Sequence, residues 1–283
     1  MAGDAVTRTR FAPSPTGLLH LGHAYAALIA AREADPGRFL LRIEDLDAER
    51  CRPGYEAAIF EDLAWLGLDW PRPVMRQSER MDAYRAALRR LAPLCYPCRC
   101  RRGDIRAALS APQEGMPPAG PDGLIYPGTC RSRSMAEAGP GDAIRLDAAR
   151  AFAALGDDRL QFRETAPGAA RRPCLDRDGF RTGIGDVILA RRGMGSSYHL
   201  AVVVDDADQA ITRVTRGADL FEATWIHVLL QRLLDLPTPE YHHHALIRDD
   251  AGKRLAKRDD ARAIRHYRAA GATPQDIRRM VGL

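Results

Sequence analysis

The stretch Arg10-Phe11-Ala12-Pro13-Ser14-Pro15-Thr16-Gly17-Leu18-Leu19-His20-Leu21-Gly22-His23 joins an extended segment to an apolar helix. Residues 6–12 read as a strand, 13–17 as a tight loop, and 18–34 as a helix that Asp35-Pro36-Gly37 ends. In an open α/β sheet, the turn from strand to helix is where nucleotide phosphates bind. His20 and His23 are three apart, so in a helical turn they share a face and can hydrogen-bond an α-phosphate as charge builds during attack. Gly22 between them leaves room for an adenine ring or ribose against the backbone. Taken alone, His-x-Gly-His is equally compatible with a metal pair or two packed histidines.

The pattern continues outward from this unit. Phe39–Ile43 is a second strand whose end delivers Glu44 and Asp45, and residues 53–66 form a helix with proline in its first turn. Ser78 can cap a further helix that runs to about Leu91, with Tyr84, Leu88 and Leu91 on one face. Strands alternating with helices predict a parallel, doubly wound sheet. From Cys95 the periodicity breaks, and residues 116–123 form a Pro/Gly-rich loop. Short strand candidates follow at 142–146, 160–163 and 185–190, so residues 95–190 read as an insertion. The apolar run 198–204, ending at Asp205-Asp206, predicts a buried parallel strand that resumes the sheet, and residues 220–234 a helix. The chain thus divides into a first half-domain (1–94), the insertion (95–190), a second half-domain (191–240), and a basic loop with small helices (241–283). No internal repeat is visible.

With 283 residues, 46% of them hydrophobic, the chain can bury one sizeable core and a second, smaller unit. The apolar stretch 18–31 is interrupted by His20, His23 and glycine, with no cleavage site after it, which argues against a signal peptide. No window approaches the roughly 18 uninterrupted apolar residues of a membrane span. A cytoplasmic protein with no membrane partner is expected. A net charge of +5 and a pI near 9.0 are compatible with nucleic acid without establishing it. Of 42 Lys plus Arg, only Lys253 and Lys257 are lysine, four apart in one loop. Arginine does not replace lysine where a compact, rotatable point charge is needed, which flags the pair as functional. The six cysteines are Cys51, Cys95, Cys98, Cys100, Cys130 and Cys174. In a cytosolic chain, Cys-x-Cys with a third cysteine downstream reads as metal before disulfide. His242-His243-His244 receives no metal role, because consecutive strand residues point to opposite faces.

The segment from Arg10 to His23 closely resembles the HIGH signature of class I aminoacyl-tRNA synthetases, in the form used by the glutamyl and glutaminyl branch. Arg42-Ile43-Glu44-Asp45-Leu46-Asp47 matches that branch's next segment, in which Glu44 at the end of a strand could receive an ammonium group; the alternative is an acidic helix-capping turn, and beside the first motif substrate binding is favoured. Ser197 to Asp206 and Thr215-Arg216-Gly217-Ala218-Asp219-Leu220 also look like this branch. The resemblance implies a glutamate pocket drawn from Arg10, Phe11, Ala12, Pro13, Ser14, Glu44, Tyr198 and Arg216. Two arginines suit that role, since each guanidinium can hold a carboxylate by paired hydrogen bonds and glutamate has two. Gly252-Lys253-Arg254-Leu255-Ala256-Lys257-Arg258 resembles the KMSKS loop, although its Arg254–Arg258 core, residues 254–258, departs from the signature at four of five positions. Lys257 falls on the second lysine and is the expected ATP contact, alongside His20, Gly22 and His23, with Lys253 a secondary candidate.

Cys98-Arg99-Cys100 followed by Tyr126-Pro127-Gly128-Thr129-Cys130 resembles the zinc site of the short glutamyl-queuosine tRNA(Asp) synthetases, in which three thiolates and a tyrosine surround the metal. Zinc prefers four tetrahedral N, O or S ligands, and either Tyr126 or Cys95 can complete the set. The resemblance covers nearly the whole chain, with its motifs in the expected order. Full-length glutamyl-tRNA synthetases continue well past the KMSKS-like loop, so a chain ending soon after Lys257 is expected to lack their anticodon-reading domain. What the resemblance implies is a monomeric Rossmann-type ligase with an inserted zinc-binding α+β subdomain of the acceptor-binding type and a short C-terminal helical segment. It would activate L-glutamate with ATP and Mg2+ and transfer it to the queuosine base of tRNA(Asp). The rival readings are a minimal glutamyl-tRNA synthetase that charges the terminal ribose, a small-molecule nucleotidylyltransferase or ligase, and a non-catalytic RNA-binding module.

Overall fold

The computed structural model describes residues 6–109, 119–247 and 263–283. The first unit runs β1 (Thr9–Phe11), α1 (Leu21–Glu33), β2 (Phe39–Ile43), α2 (Pro53–Trp65) and β3 (Met75–Arg76). These strands pair in parallel in the order β1-β2-β3, with Thr9 opposite Phe39 and Arg42 opposite Met75. A single 3-10 turn, Gln77–Arg80, leads into α3 (Met81–Leu91). Ser78 does not cap that helix: its N–H and hydroxyl both donate to Asp45, at 2.8 and 2.6 Å, and Arg80 is the residue at the cap position. Ser78 therefore ties the loop after β2 to the entry of α3. On α3, Tyr84 and Leu91 are buried, with Leu88 partly so, giving the helix its inward face.

Residues 95–190 hold β4 (Cys95–Cys98), α4 (Arg102–Leu109), β5 (Ala119–Gly120), β6 (Gly123–Leu124), β7 (Ala143–Leu146), α5 (Ala148–Leu155), β8 (Arg159–Gln161), β9 (Cys174–Asp176), α6 (Arg177–Gly183) and β10 (Ile188–Ala190). β10, β7 and β4 make an antiparallel sheet, and β5-β6 and β8-β9 are two-stranded hairpins. Asp147 starts α5 by accepting from the N–H groups of Ala149 and Arg150, and Gly156 ends it in the left-handed conformation.

The second half follows as α7 (Tyr198–Asp208), β11 (Arg213–Gly217), α8 (Ala223–Leu233), β12 (Glu240–His244), α9 (Ile264–Ala269) and α10 (Pro274–Met280). The strand expected at residues 198–204 is this first helix. Ser197 caps it, and every residue from His199 to Asp206 is buried. A helix enclosed on all sides carries no polar face, so its sequence is a continuous apolar run that periodicity cannot separate from a buried strand. The sheet resumes one element later. β11 pairs in parallel with β12 and stands beside β1, where the carbonyl of Arg8 accepts from the N–H groups of Thr212 and Arg213 at 3.0 and 3.1 Å. Parallel strands from two distant parts of the chain thus flank β1, the strand that leads to the two histidines.

Two main cores support this frame. One joins α1, α2 and β1–β2 to Ile264, Ile277 and Val281 of the C-terminal segment. The other is continuous from α3 through Leu146, Phe152, Phe162 and Phe180 into α7 and α8. No helix among the described residues is long and apolar enough to cross a membrane. Within the first core Asp62, on α2, is only 1% exposed, and among the described residues neither of its carboxylate oxygens has a hydrogen-bond partner. Burial pushes its carboxyl up to about 6, against the partial relief given by Arg268 and Arg265. A carboxyl raised in the folded state favours folding when protonated, so this penalty is absent below about pH 4 and complete above about pH 7. Asp62→Asn is therefore expected to raise the urea-unfolding free energy by about 1–2 kcal/mol at pH 7 and by almost nothing at pH 4; an equal gain at both would show that the burial penalty is not electrostatic.

Candidate active site

His20 stands at the N-cap of α1 with its Nδ1 accepting from the Gly22 N–H at 3.1 Å, while Nδ1 of His23 accepts from the His20 N–H at 3.2 Å. This reciprocal cap brings the ring centroids to 3.9 Å. Because each Nδ1 is an acceptor, each neutral ring carries its proton on Nε2, and the pair is pre-set as two N–H donors at a helix N-terminus. A Cβ at Gly22 would lie 3.0 Å from the His20 ring, so the room this glycine provides is taken up by the imidazole itself. The bridge from His20 to Ala263 and the 2.8 Å bond from the Ile264 N–H to the Leu19 carbonyl fix the start of α9 beside the same turn. Lys253 and Lys257 lie outside the described residues.

On β1, Arg10 is buried, and its Nε and one terminal nitrogen donate to the two oxygens of Asp206 at 2.9 and 3.2 Å. Its paired-donor face, expected to hold a glutamate carboxylate, is thus taken by a residue of α7. Asp206 also accepts from Arg42 at 2.7 Å, and Arg42 is fully buried and reaches Glu44 at 3.3 Å. Burial alone would raise the Asp206 carboxyl, but Arg10 and Arg42 hold it below the ordinary carboxylate range. Glu44 goes the other way, pushed up by burial against the pull of Arg42 and Arg10. Of the loop residues in the predicted pocket, Phe11 has its ring in the first core, Pro13 is buried, Ala12 is partly buried and Ser14 is exposed.

Arg216, at the end of β11, is 5% exposed, and among the described residues it forms no ion pair with a carboxylate. Its nitrogens donate to Nε2 of His243 at 3.2 Å, Nδ1 of His227 at 3.0 Å and the Thr224 hydroxyl at 2.5 Å. Tyr198 lies within the electrostatic reach of Arg216, Glu44, Arg10 and Asp206, and burial raises its phenol. Its ring meets that of His227 edge-on at 5.5 Å. Burial, and then the Arg216 charge, hold His227 well below the ordinary histidine range, so it is neutral. The structure therefore brings Arg10, Glu44, Tyr198 and Arg216 into one electrostatic neighbourhood in which Arg216 is the guanidinium with no carboxylate partner among the described residues.

Away from this neighbourhood along the chain, the sulfurs of Cys98, Cys100 and Cys130 lie within 4.8 Å of one another, a group that could hold a metal ion. The Tyr126 hydroxyl is 3.4 Å from the sulfurs of both Cys98 and Cys100, and Cys100 and Cys130 are 3.6 Å apart. A tetrahedron of zinc–sulfur bonds of about 2.3 Å has sulfur–sulfur edges of about 3.8 Å, so three thiols and a phenol oxygen at these spacings suit the ion. Burial disfavours the Cys130 thiolate, but hydrogen bonds from Tyr126, the Arg99 backbone and Cys100 bring it down to about 7. Cys95 does not join them. It belongs to the large core, opposite Leu146 in the sheet, with its thiol pushed up to about 12 by burial and by Asp147.

Several residues of the site were not visible in the sequence. Asp206 was read only as the end of a strand, yet it anchors both Arg10 and Arg42. His227 lies in the apolar run of α8, where a lone histidine gives no signal of its own. His242, His243 and His244 lie on β12, where His243 links Arg216 to Glu164.

Residues 6–122 and 159–283 match the family described as "tRNA synthetases class I (E and Q), catalytic domain". The chain is 58% identical over 280 residues to a glutamyl-Q tRNA(Asp) synthetase of Rhodobacter capsulatus, covering 97% of this chain and 99% of the relative. It is 41% identical to the protein of that name from Symbiobacterium thermophilum, with 95% and 83% covered. Among solved structures, a glutamate tRNA ligase from Elizabethkingia meningosepticum in complex with its amino acid superposes with a TM-score of 0.67 at 27% identity, over 90% of this chain and 52% of that one. This chain thus spans about half of that ligase. With its parallel sheet, its paired histidines at the first helix and this near full-length likeness, the chain belongs to the glutamyl-Q tRNA(Asp) synthetase family of class I tRNA synthetases.

Proposed function

We propose that the protein activates L-glutamate with ATP and transfers it to the queuosine base at the wobble position of tRNA(Asp). The observation that carries the amino-acid half of this reading is Arg216, a buried guanidinium with no carboxylate among its described partners, in one neighbourhood with Tyr198 and Glu44. A desolvated charge of this kind is stabilised when an anionic substrate arrives, and Glu44 offers the matching charge for an ammonium group. Arg10, whose paired face is on Asp206, orients the pocket rather than supplying a second carboxylate clamp. The RNA half follows from the relatives, which bear the name glutamyl-Q tRNA(Asp) synthetase.

The chemistry runs in two steps. A carboxylate oxygen of glutamate attacks the α-phosphorus of magnesium-bound ATP, the bridge to the β-phosphate breaks, and pyrophosphate leaves glutamyl-adenylate behind. The Nε2–H groups of His20 and His23 donate to the α-phosphate as its charge rises. Lys257, six residues before Ala263, is the proposed partner of the departing phosphates. A hydroxyl of the queuosine cyclopentene then attacks the activated carbonyl, and AMP departs. Holding the reactants in line and stabilising charge does most of the work, with no covalent enzyme intermediate. Cys98, Cys100, Cys130 and Tyr126 hold a structural zinc in this reading, which cross-links β4 to the loop that follows β6.

Labelled glutamate, offered with ATP, should pass to tRNA from cells that make queuosine and not to tRNA from cells that lack it, and prior oxidation of the cis-diol should abolish the label. Equal labelling of both pools at the terminal ribose would instead make this a minimal glutamyl-tRNA synthetase. Arg216→Gln is expected to lower kcat/KM for glutamate in ATP–pyrophosphate exchange by about a hundredfold, with KM for ATP changed by less than about twofold. A comparable loss for ATP would remove Arg216 from the amino-acid pocket. Purified protein should carry stoichiometric zinc by plasma mass spectrometry, and Cys130→Ser should lose the metal and lower the melting temperature; metal-free protein with unchanged melting in the variant would refute the assignment.

A further inference from the structure

Arg216 is the centre of a hydrogen-bonded line that crosses the molecule. A guanidinium only donates, so the 3.0 Å contact from Arg216 to Nδ1 of His227 leaves that nitrogen without a proton. Neutral His227 then carries its proton on Nε2 and donates to Nδ1 of His199 at 3.0 Å. That contact in turn puts the His199 proton on Nε2, 3.0 Å from the carboxylate of Asp122. On the other side Arg216 donates through Nε to Nε2 of His243 at 3.2 Å, which places the His243 proton on Nδ1, 2.5 Å from Glu164. One guanidinium and three imidazoles thus lie between two carboxylates, and the donor at the centre and the acceptors at the two ends select the same set of tautomers. His227 has a second contact, the edge-on packing at 5.5 Å against Tyr198, whose ring also meets His199 at 5.3 Å.

We propose that His227 is a positioning residue for glutamate recognition, and that Asp122 fixes its tautomer through His199. The proposal rests on the assignment of Arg216 and Tyr198 to the glutamate pocket. Its physical content is a donor–acceptor count. With an acceptor at Asp122, His199 donates outward and accepts from His227, and His227 is left to accept from Arg216. Without that acceptor, His199 is released to the other tautomer, in which its Nδ1–H faces His227 Nε2 and turns that nitrogen into an acceptor. His227 would then present Nδ1–H to an Arg216 N–H, two donors in contact, and the guanidinium would be displaced. Asp122 occupies the turn between β5 and β6, its side chain 37% exposed, beside a cavity of about 450 Å3 that Tyr126, Arg145 and Arg191 also line. The inserted stretch thereby reaches the amino-acid pocket through α7 and α8 without touching substrate.

The test compares Asp122→Ala with Asp122→Asn, which keeps an acceptor oxygen, in glutamate-dependent ATP–pyrophosphate exchange. Asp122→Ala is expected to raise KM for glutamate about fivefold, with kcat and KM for ATP within about twofold of the parent, and Asp122→Asn to restore most of the loss. His227→Phe, which keeps a ring against Tyr198 but offers no acceptor, should raise KM for glutamate by more than tenfold, about an order of magnitude or above, wherever its circular dichroism matches the parent. Nitrogen-15 histidine spectra of the whole protein at about pH 7 should show His199 and His227 protonated on Nε2 and His243 on Nδ1. Unchanged KM for glutamate in Asp122→Ala, or a His227 proton on Nδ1, would overturn the proposal. A parent protein that shows no glutamate-dependent exchange would instead overturn the glutamate reading itself.

Discussion

Arg10 and Arg42, from the first two strands, meet Asp205 and Asp206 of α7 in a charge cluster closed to water. Isolated charges at such depth would cost several kcal/mol each, so the cluster persists only because nearly every donor is met. Arg42 gives its terminal nitrogens to Asp206, Gln209 and Glu44, while Asp205 accepts from Gln77, Arg80 and Tyr84. The adjacent acids serve different neighbours because successive residues on a helix point about 100° apart. Asp205 faces α3 and its entry turn, and Asp206 faces the sheet. Residues 164 and 196 positions apart along the chain are thereby locked together, which orients β1, β2 and α7 around one another. The positions of Glu44, Tyr198 and Arg216 follow from that lock.

The same helix explains where the sequence was legible and where it was not. The first three strand-and-helix boundaries could be read closely because α1 and α2 have clear local signals: a loop of prolines before one, a proline in the first turn of the other. Helix α7 has no exposed face from His199 to Asp206, so the amphipathic period that identifies a helix is missing. Its length, and a capping serine just ahead of Tyr198, were the available clues. The thiols were legible by spacing, and only tertiary position could separate Cys95, in the large core, from Cys98, in the small cluster with Tyr96 and Tyr126. Arg10 and Arg216 were both readable as carboxylate ligands. The difference between them, a carboxylate on one and none on the other among the described residues, depends on a partner 196 residues away.

Residues 95–190 are more than an appendage on the strand-and-helix frame. Phe152, Leu160, Phe162 and Phe180 share one apolar core with Leu200, Trp225 and Leu229, so α7 and α8 cannot shift without disturbing it. Close-packed interiors transmit displacement because they have few voids to absorb it. That apolar contact fixes distance but not which way a polar ring faces. Orientation across the same interface comes from the histidines, whose protons are held in one arrangement by Arg216 donating at the centre and by Asp122 and Glu164 accepting at the ends. A polar line through an apolar core adds little to stability, since each buried group must first be stripped of water. What it supplies is direction: the core holds β11 and α8 together, and the hydrogen bonds determine how the guanidinium at the end of β11 is presented.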